Sequence, residues 1–125
     1  LVPRQMAGND WRELLSSQPF VRYDRASFGG RQVDRFLRDN HCQVRDVCEV
    51  DELDAIVQLV ANGVGVALVP QSSALKRWPS SVRAIDLETY TFHRDIGIVH
   101  RASDQLSEPA QALAALLTRV AVAAH

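Results

Sequence analysis

Cysteine is scarce in this chain: there are two, Cys42 and Cys48, and their spacing matches neither a CxxC redox pair nor a zinc knuckle. Both are expected to be reduced and to serve packing, since His41 beside Cys42 is too little to make a metal site. An excess of either charge is also missing. Fourteen Lys and Arg against 15 Asp and Glu leave a net charge of −1, with no basic stripe of the kind a DNA-reading module carries and no global attraction to anionic membranes. No apolar run approaches the roughly 20 residues of a membrane span, and no signal peptide is recognisable. The catalytic motifs are absent too: there is no GxSxG elbow, no HExxH, no P-loop GK[ST] and no GxGxxG. Glu49, Asp51, Glu52 and Asp54 do cluster, but three of them begin a predicted helix, where the backbone dipole accounts for carboxylates. His93 and His100 are expected on a surface. These absences argue against an enzyme, a resident metal or a cofactor, and turn the reading toward binding.

What is present is a chain of 125 residues, 46% hydrophobic and 23% charged, of the size and composition of one globular domain. Its organising stretch is DELDAIVQLVANGVGVALVP, residues 51–70. Leu53, Ile56, Val57 and Val60 fall on one helical stripe, Asp51 can cap the start, and Gly63 can take the left-handed conformation that ends the helix. Residues 64–69 are apolar without alternation, as in a strand covered on both faces, and Pro70 cannot continue the ladder.

Elsewhere the pattern is legible but weaker. The opening Leu1-Val2-Pro3-Arg4 resembles a protease-cleavable tag, so residues 1–6 are set aside and 7–125 read as the domain. Trp11, Leu14 and Leu15 can anchor one short helical turn. Phe20 to Tyr23 reads as a strand, residues 24–30 as a glycine-bearing loop, and Val33, Phe36 and Leu37 as the buried stripe of a helix. A strand of mixed polarity over 44–50 belongs near an edge or a partner surface. A short helix is expected over 71–78, strands over 82–87 and 96–100, and a last helix after Ser107-Glu108-Pro109 carrying Leu113, Leu116, Leu117 and Val120. This alternation predicts an α/β, Rossmann-like fold: an open, mainly parallel sheet with helices on its faces, and ligands at the carboxyl ends of strands. In the loop, Ser27 can either cap the following helix or bond a ligand, and Gly29 and Gly30 can let backbone N–H groups face an anion.

Four segments taken together, PFVRY at 19–23, the glycine-bearing loop, LVANGVGVALVP at 59–70 and RDIGIVHR at 94–101, resemble the effector-binding domain of LysR-type transcriptional regulators. The resemblance implies one lobe of a type II periplasmic-binding-protein-like domain, with residues 7–93 as the second lobe and 94–125 as a strand and helix returning toward the first. It implies a cytoplasmic sensor of a small-molecule effector such as a carboxylate, meeting DNA only through a winged helix-turn-helix not seen here, and having no membrane role. Effector contacts carried over by position are Tyr23, Asp24, Arg25, Ser27, Phe28, Gly65, Val66 and Pro70, with Arg25 pairing a carboxylate and Asp24 either turned away from it or reading a hydroxyl or amine. Family dimers, assembled to tetramers in full-length proteins, place Arg31, Arg35, Phe36, Arg38, Val44 and Val47 on the partner surface; a solvated helix face is the alternative for the arginines. His100 stands where the family often has an aromatic residue. A solute-binding receptor or a related enzyme on the same lobe is the alternative function, and a swapped dimer hiding the last helix is a third reading.

Overall fold

Phe20 and Val21 are neighbours on one strand, so their side chains leave the sheet on opposite faces, and both are fully buried. A computed structural model describes residues 1–71 and 77–123 and shows what covers each face. Phe20 packs among Leu14, Leu15, Val33, Phe36, Leu37, Val66 and Leu68; Val21 packs among Ile56, Val60, Ala67 and Val82. The sheet therefore has helices on both sides, as the sequence predicts.

In chain order the elements are β1 (Val2–Pro3), α1 (Trp11–Ser17), β2 (Pro19–Tyr23), α2 (Phe28–Asp39), β3 (Arg45–Val50), α3 (Leu53–Ala61), β4 (Val82–Arg83) and α4 (Glu108–Ala123), with 3-10 turns at Glu88–Tyr90 and Ser103–Gln105. They fall into two compact units, Leu1–Gln71 with Arg77–His93, and residues 94–123. In the first unit β2 pairs in parallel with β3. On its other side β2 meets Val66: the Val21 N–H donates to the Val66 carbonyl at 2.9 Å, and the Val66 N–H to the Pro19 carbonyl at 2.8 Å. Ala67 then exchanges bonds with Leu1, at 3.0 and 2.7 Å, and β1 pairs antiparallel with β4. The order across is β3, β2, the Val66 segment, β1, β4. Residues 64–69 lie in the middle, with Val66 and Ala67 each 2% exposed, although only Val66 makes a ladder bridge. Among the described residues β3 has β2 as its sole neighbour strand, and Val47 is 48% exposed, which is the edge position expected of it.

Several expectations change. Residues 1–6 belong to the fold rather than outside it, because Val2 is 3% exposed and β1 joins the sheet. α1 has two turns instead of one, since Asp10 accepts the N–H groups of Arg12 and Glu13 at 3.0 and 3.3 Å. Asp51 does not cap α3; Glu52 holds that position without a side-chain bond. The strand expected over 82–87 shrinks to β4, and none forms over 96–100, where Ile96 and Val99 are 81% and 98% exposed and have no ladder partner among the described residues. The helix expected over 71–78 falls mostly on 72–76, outside the described residues. In the second unit α4 starts as predicted, with Ser107 accepting the Ala110 and Gln111 N–H groups.

Two helices end alike. At the end of α3, Gly63 has φ +78°, its N–H donates to the Val60 carbonyl, and the Val64 N–H donates back to Leu59, both at 3.0 Å. This is the Schellman arrangement, which needs a left-handed residue after the cap. α2 makes the same pair of bonds, His41 to Arg38 and Cys42 to Leu37, but with His41 at φ +55°. A side chain pays for that conformation with about 1–2 kcal/mol, partly offset by the greater chain entropy that glycine loses. His41→Gly is therefore expected to stabilise the chain by about 0.5–1 kcal/mol in urea unfolding; a loss of stability would mean that the exposed imidazole contributes an interaction of its own.

Candidate functional site

Because β2, β3 and the Val66 segment run parallel, their carboxyl ends share one rim, with Tyr23 opposite Val50. The turn at 24–27 leaves that rim and leads into α2. Its bonds are almost all internal. The Asp24 N–H extends the ladder to the Val50 carbonyl at 2.9 Å, and Asp24 Oδ1 accepts the Ala26 N–H at 2.9 Å. The Asp24 carbonyl accepts both the Ser27 N–H at 3.0 Å and the Ser27 hydroxyl at 2.7 Å, while Ser27 Oγ accepts the Gly30 N–H at 2.9 Å. Ser27 is thus the helix cap, one of the two roles its position allowed. The N–H groups of Phe28 and Gly29 have no acceptor among the described residues.

Gly30 has a different reason from the one expected. A Cβ built there would lie 1.7 Å from the Asp24 carbonyl oxygen, so the glycine is needed to let the turn fold under the helix. Beside the turn stands a group of six charges that sequence reading leaves mostly unnoticed. Arg22 is buried on β2, its Nε 2.9 Å from Asp46 on β3 and its Nη1 3.4 Å from Asp34 on α2. Arg25 reaches the same carboxylates, Asp46 at 2.8 Å and Asp34 at 4.0 Å, and has Glu49 at 3.9 Å. Arg38 joins at 3.4 Å from Asp34, and Glu49 also accepts the Arg25 backbone N–H at 2.9 Å. Arg22 shares the parity of buried Phe20, which signals only that it turns inward and needs carboxylates within reach; the sequence does not say which ones.

Of the expected effector contacts, Tyr23, Asp24, Arg25, Ser27 and Phe28 come together at the rim, with Phe28 55% exposed. Pro70 follows the middle segment out toward the same side. Gly65 does not join them, because it abuts Pro19 at the opposite end of β2, and Val66 is buried in the core. On the expected partner surface Arg31, Arg35, Arg38 and Val47 are exposed. Phe36 is not: it is 6% exposed, with Trp11 at 5.5 Å and Phe92 at 4.9 Å between ring centres, and Val44 is half-buried against the same core.

A surface groove of about 540 Å³ is lined by Arg12, Glu13 and Ser16 of α1 and by His41, Cys42 and Gln43 of the segment leading into β3. Its cation is committed: Arg12 donates to the Asn40 carbonyl at 3.1 Å and its guanidinium lies over both Trp11 and Tyr90. Partial burial pushes the Cys42 thiol up, against an opposing pull from Arg12, which works against thiolate formation there. Among the described residues no group of three or more His, Cys, Asp or Glu is placed to hold a metal ion, and no helix is long and apolar enough to cross a membrane.

The chain is 26% identical over 100 residues to the HTH-type transcriptional activator CmpR of Synechocystis sp., an alignment covering 79% of this chain and 33% of that protein. It therefore spans about a third of the length of that curated relative. No solved structure matches it. The family profile of the LysR substrate binding domain matches residues 4–122, nearly the whole length, and the chain belongs to that family.

Proposed function

We propose that this chain is the inducer-sensing part of a LysR-type transcriptional regulator, cytoplasmic and acting by binding rather than catalysis, with a small carboxylate held at the rim beside the 24–30 turn. The observation that carries the reading is that one short segment holds both a half-exposed Arg25 guanidinium and a helix start whose Phe28 and Gly29 N–H groups have no acceptor among the described residues. Cation and helix start both favour an anion there. In this reading the lobe is of the type II periplasmic-binding kind, the unit from Leu1 to His93 forms its second lobe, and the segment from Arg94 onward returns toward the first. DNA is met through a separate domain, and two copies pair across α2 and the open edge of β3, with Arg31, Arg35 and Val47 on that surface.

Titration calorimetry of the chain with a panel of small carboxylates tests the site. At least one should bind, and Arg25→Ala should weaken it about tenfold or more, the value of a charge-assisted bond of roughly 1.5–3 kcal/mol. Ser27→Ala should act mainly through the cap, costing about 1 kcal/mol of stability with a smaller change in affinity. No binding by any carboxylate, or unchanged affinity in both variants, would remove these residues from the site.

A further inference from the structure

Arg25 is the cation on which the proposed reading depends, and it is already taken. Its Nη2 lies 2.8 Å from Asp46 Oδ2, while Glu49 Oε2 and Asp34 Oδ1 stand 3.9 and 4.0 Å from its other nitrogens. None of these carboxylates depends on Arg25's guanidinium alone. Asp46 keeps Arg22 Nε at 2.9 Å, Asp34 keeps Arg22 and Arg38 at 3.4 Å each, and Glu49 keeps the Arg25 backbone N–H at 2.9 Å. The two arginines on Asp46 differ in freedom. The Arg22 side chain is 7% exposed and held between a strand and a helix, whereas that of Arg25 is 51% exposed on a turn.

We infer that Asp46, helped by Glu49, is a built-in competitor for the Arg25 guanidinium, so that an anionic ligand is admitted only by displacing it and the two residues set the affinity for carboxylates. This rests on the carboxylate reading above. When Arg25 leaves, Arg22 still satisfies Asp46, so the exchange strands no buried charge, the condition under which breaking an ion pair is cheap. A neutral ligand has nothing to offer Arg25 in return and gains no such exchange.

The competition is tested with succinate and propionate as probes. Asp46→Asn should tighten their binding by about threefold to fivefold, the range an exposed ion pair commands. The gain should disappear in an Arg25→Gln background, as a double-mutant cycle reads it; a gain that persists there is general relief of like-charge repulsion and overturns the inference. Glu49→Gln leaves the bond of Arg22 to Asp46 in place, so it serves if Asp46→Asn loses stability, with a smaller gain of the same sign. A second measurement needs no ligand: phenylglyoxal modification followed by peptide mass spectrometry. Arg25 should react more slowly than exposed Arg35 in the parent and severalfold faster after Asp46→Asn; equal rates in parent and variant overturn the inference. If neither parent nor variant binds either probe or any other carboxylate of the panel, the functional reading falls and takes this one with it. If the parent binds and Asp46→Asn does not tighten the complex, the competition alone fails.

Discussion

Gly30→Ala is expected to cost about 3 kcal/mol or more of stability, a drop in melting temperature on the order of 10 °C. Two effects oppose each other at this position. Alanine is the better helix former by roughly 1 kcal/mol, and Gly30 sits in the first turn of α2, so propensity alone predicts stabilisation. Sterics decide against it, because the new Cβ would stand 1.7 Å from the Asp24 carbonyl oxygen and 2.9 Å from Ser27 Oγ. That oxygen cannot simply retreat. It accepts two bonds from Ser27, at 3.0 and 2.7 Å, and the Asp24 N–H is tied to the sheet at Val50. Making room means pulling the turn off the rim or the helix off its cap, and Arg25 moves with either. Urea unfolding of the variant gives the cost directly, and the amide signals of residues 24–30 should shift well beyond those of α3. A stable variant with unmoved signals would show that the turn and helix are not pressed together as described.

α3 and the middle of the sheet are legible in residues 51–70 because a strong 3.6-residue period leads through a left-handed glycine into an uninterrupted aliphatic run. Those signals are local. The failures are of another kind. Ile96, Ile98 and Val99 have the residue types of a strand, but strand formation is decided by a partner, and among the described residues they have none. The opening residues looked dispensable by their resemblance to a tag, although Val2 closes one face of the core. At the candidate site the turn, the cap and the helix start were readable from Ser27 and the two glycines. The charge group was not, because Arg22 meets Asp46 across 24 positions of sequence and Asp34 across 12, and no periodicity reports a pairing brought about by parallel strands. Gly30 shows the same limit: its residue type suggests an anion-binding role, and its necessity comes from a carbonyl six residues earlier.

Two glycines separated by one residue should respond to alanine very differently. At Gly63 an added Cβ meets nothing within 4 Å, but the backbone is left-handed at φ +78°, so Gly63→Ala should cost about 1 kcal/mol, the ordinary penalty for a side chain in that conformation. At Gly65 the backbone is unremarkable and the space is not: the Cβ would come within 2.3 Å of the Pro19 carbonyl oxygen and 2.8 Å of its carbon. That same oxygen accepts the Val66 N–H at 2.8 Å, the first bond joining the middle segment to β2. Gly65→Ala must therefore separate the segment from β2 just where Phe20 and Val66 pack, and should cost about 3 kcal/mol or more, losing protection from hydrogen exchange at Val21 and Val66 together. The contrast is what matters, since both substitutions add one methyl group beside the same apolar run. If Gly63→Ala proves the more damaging, the segment enters the sheet through its turn and not through contact with Pro19. If the Gly65→Ala loss is accompanied by unchanged exchange at Val21, the segment at 64–69 is not the inner member of the sheet, and the rim on which the candidate site stands is not a shared edge.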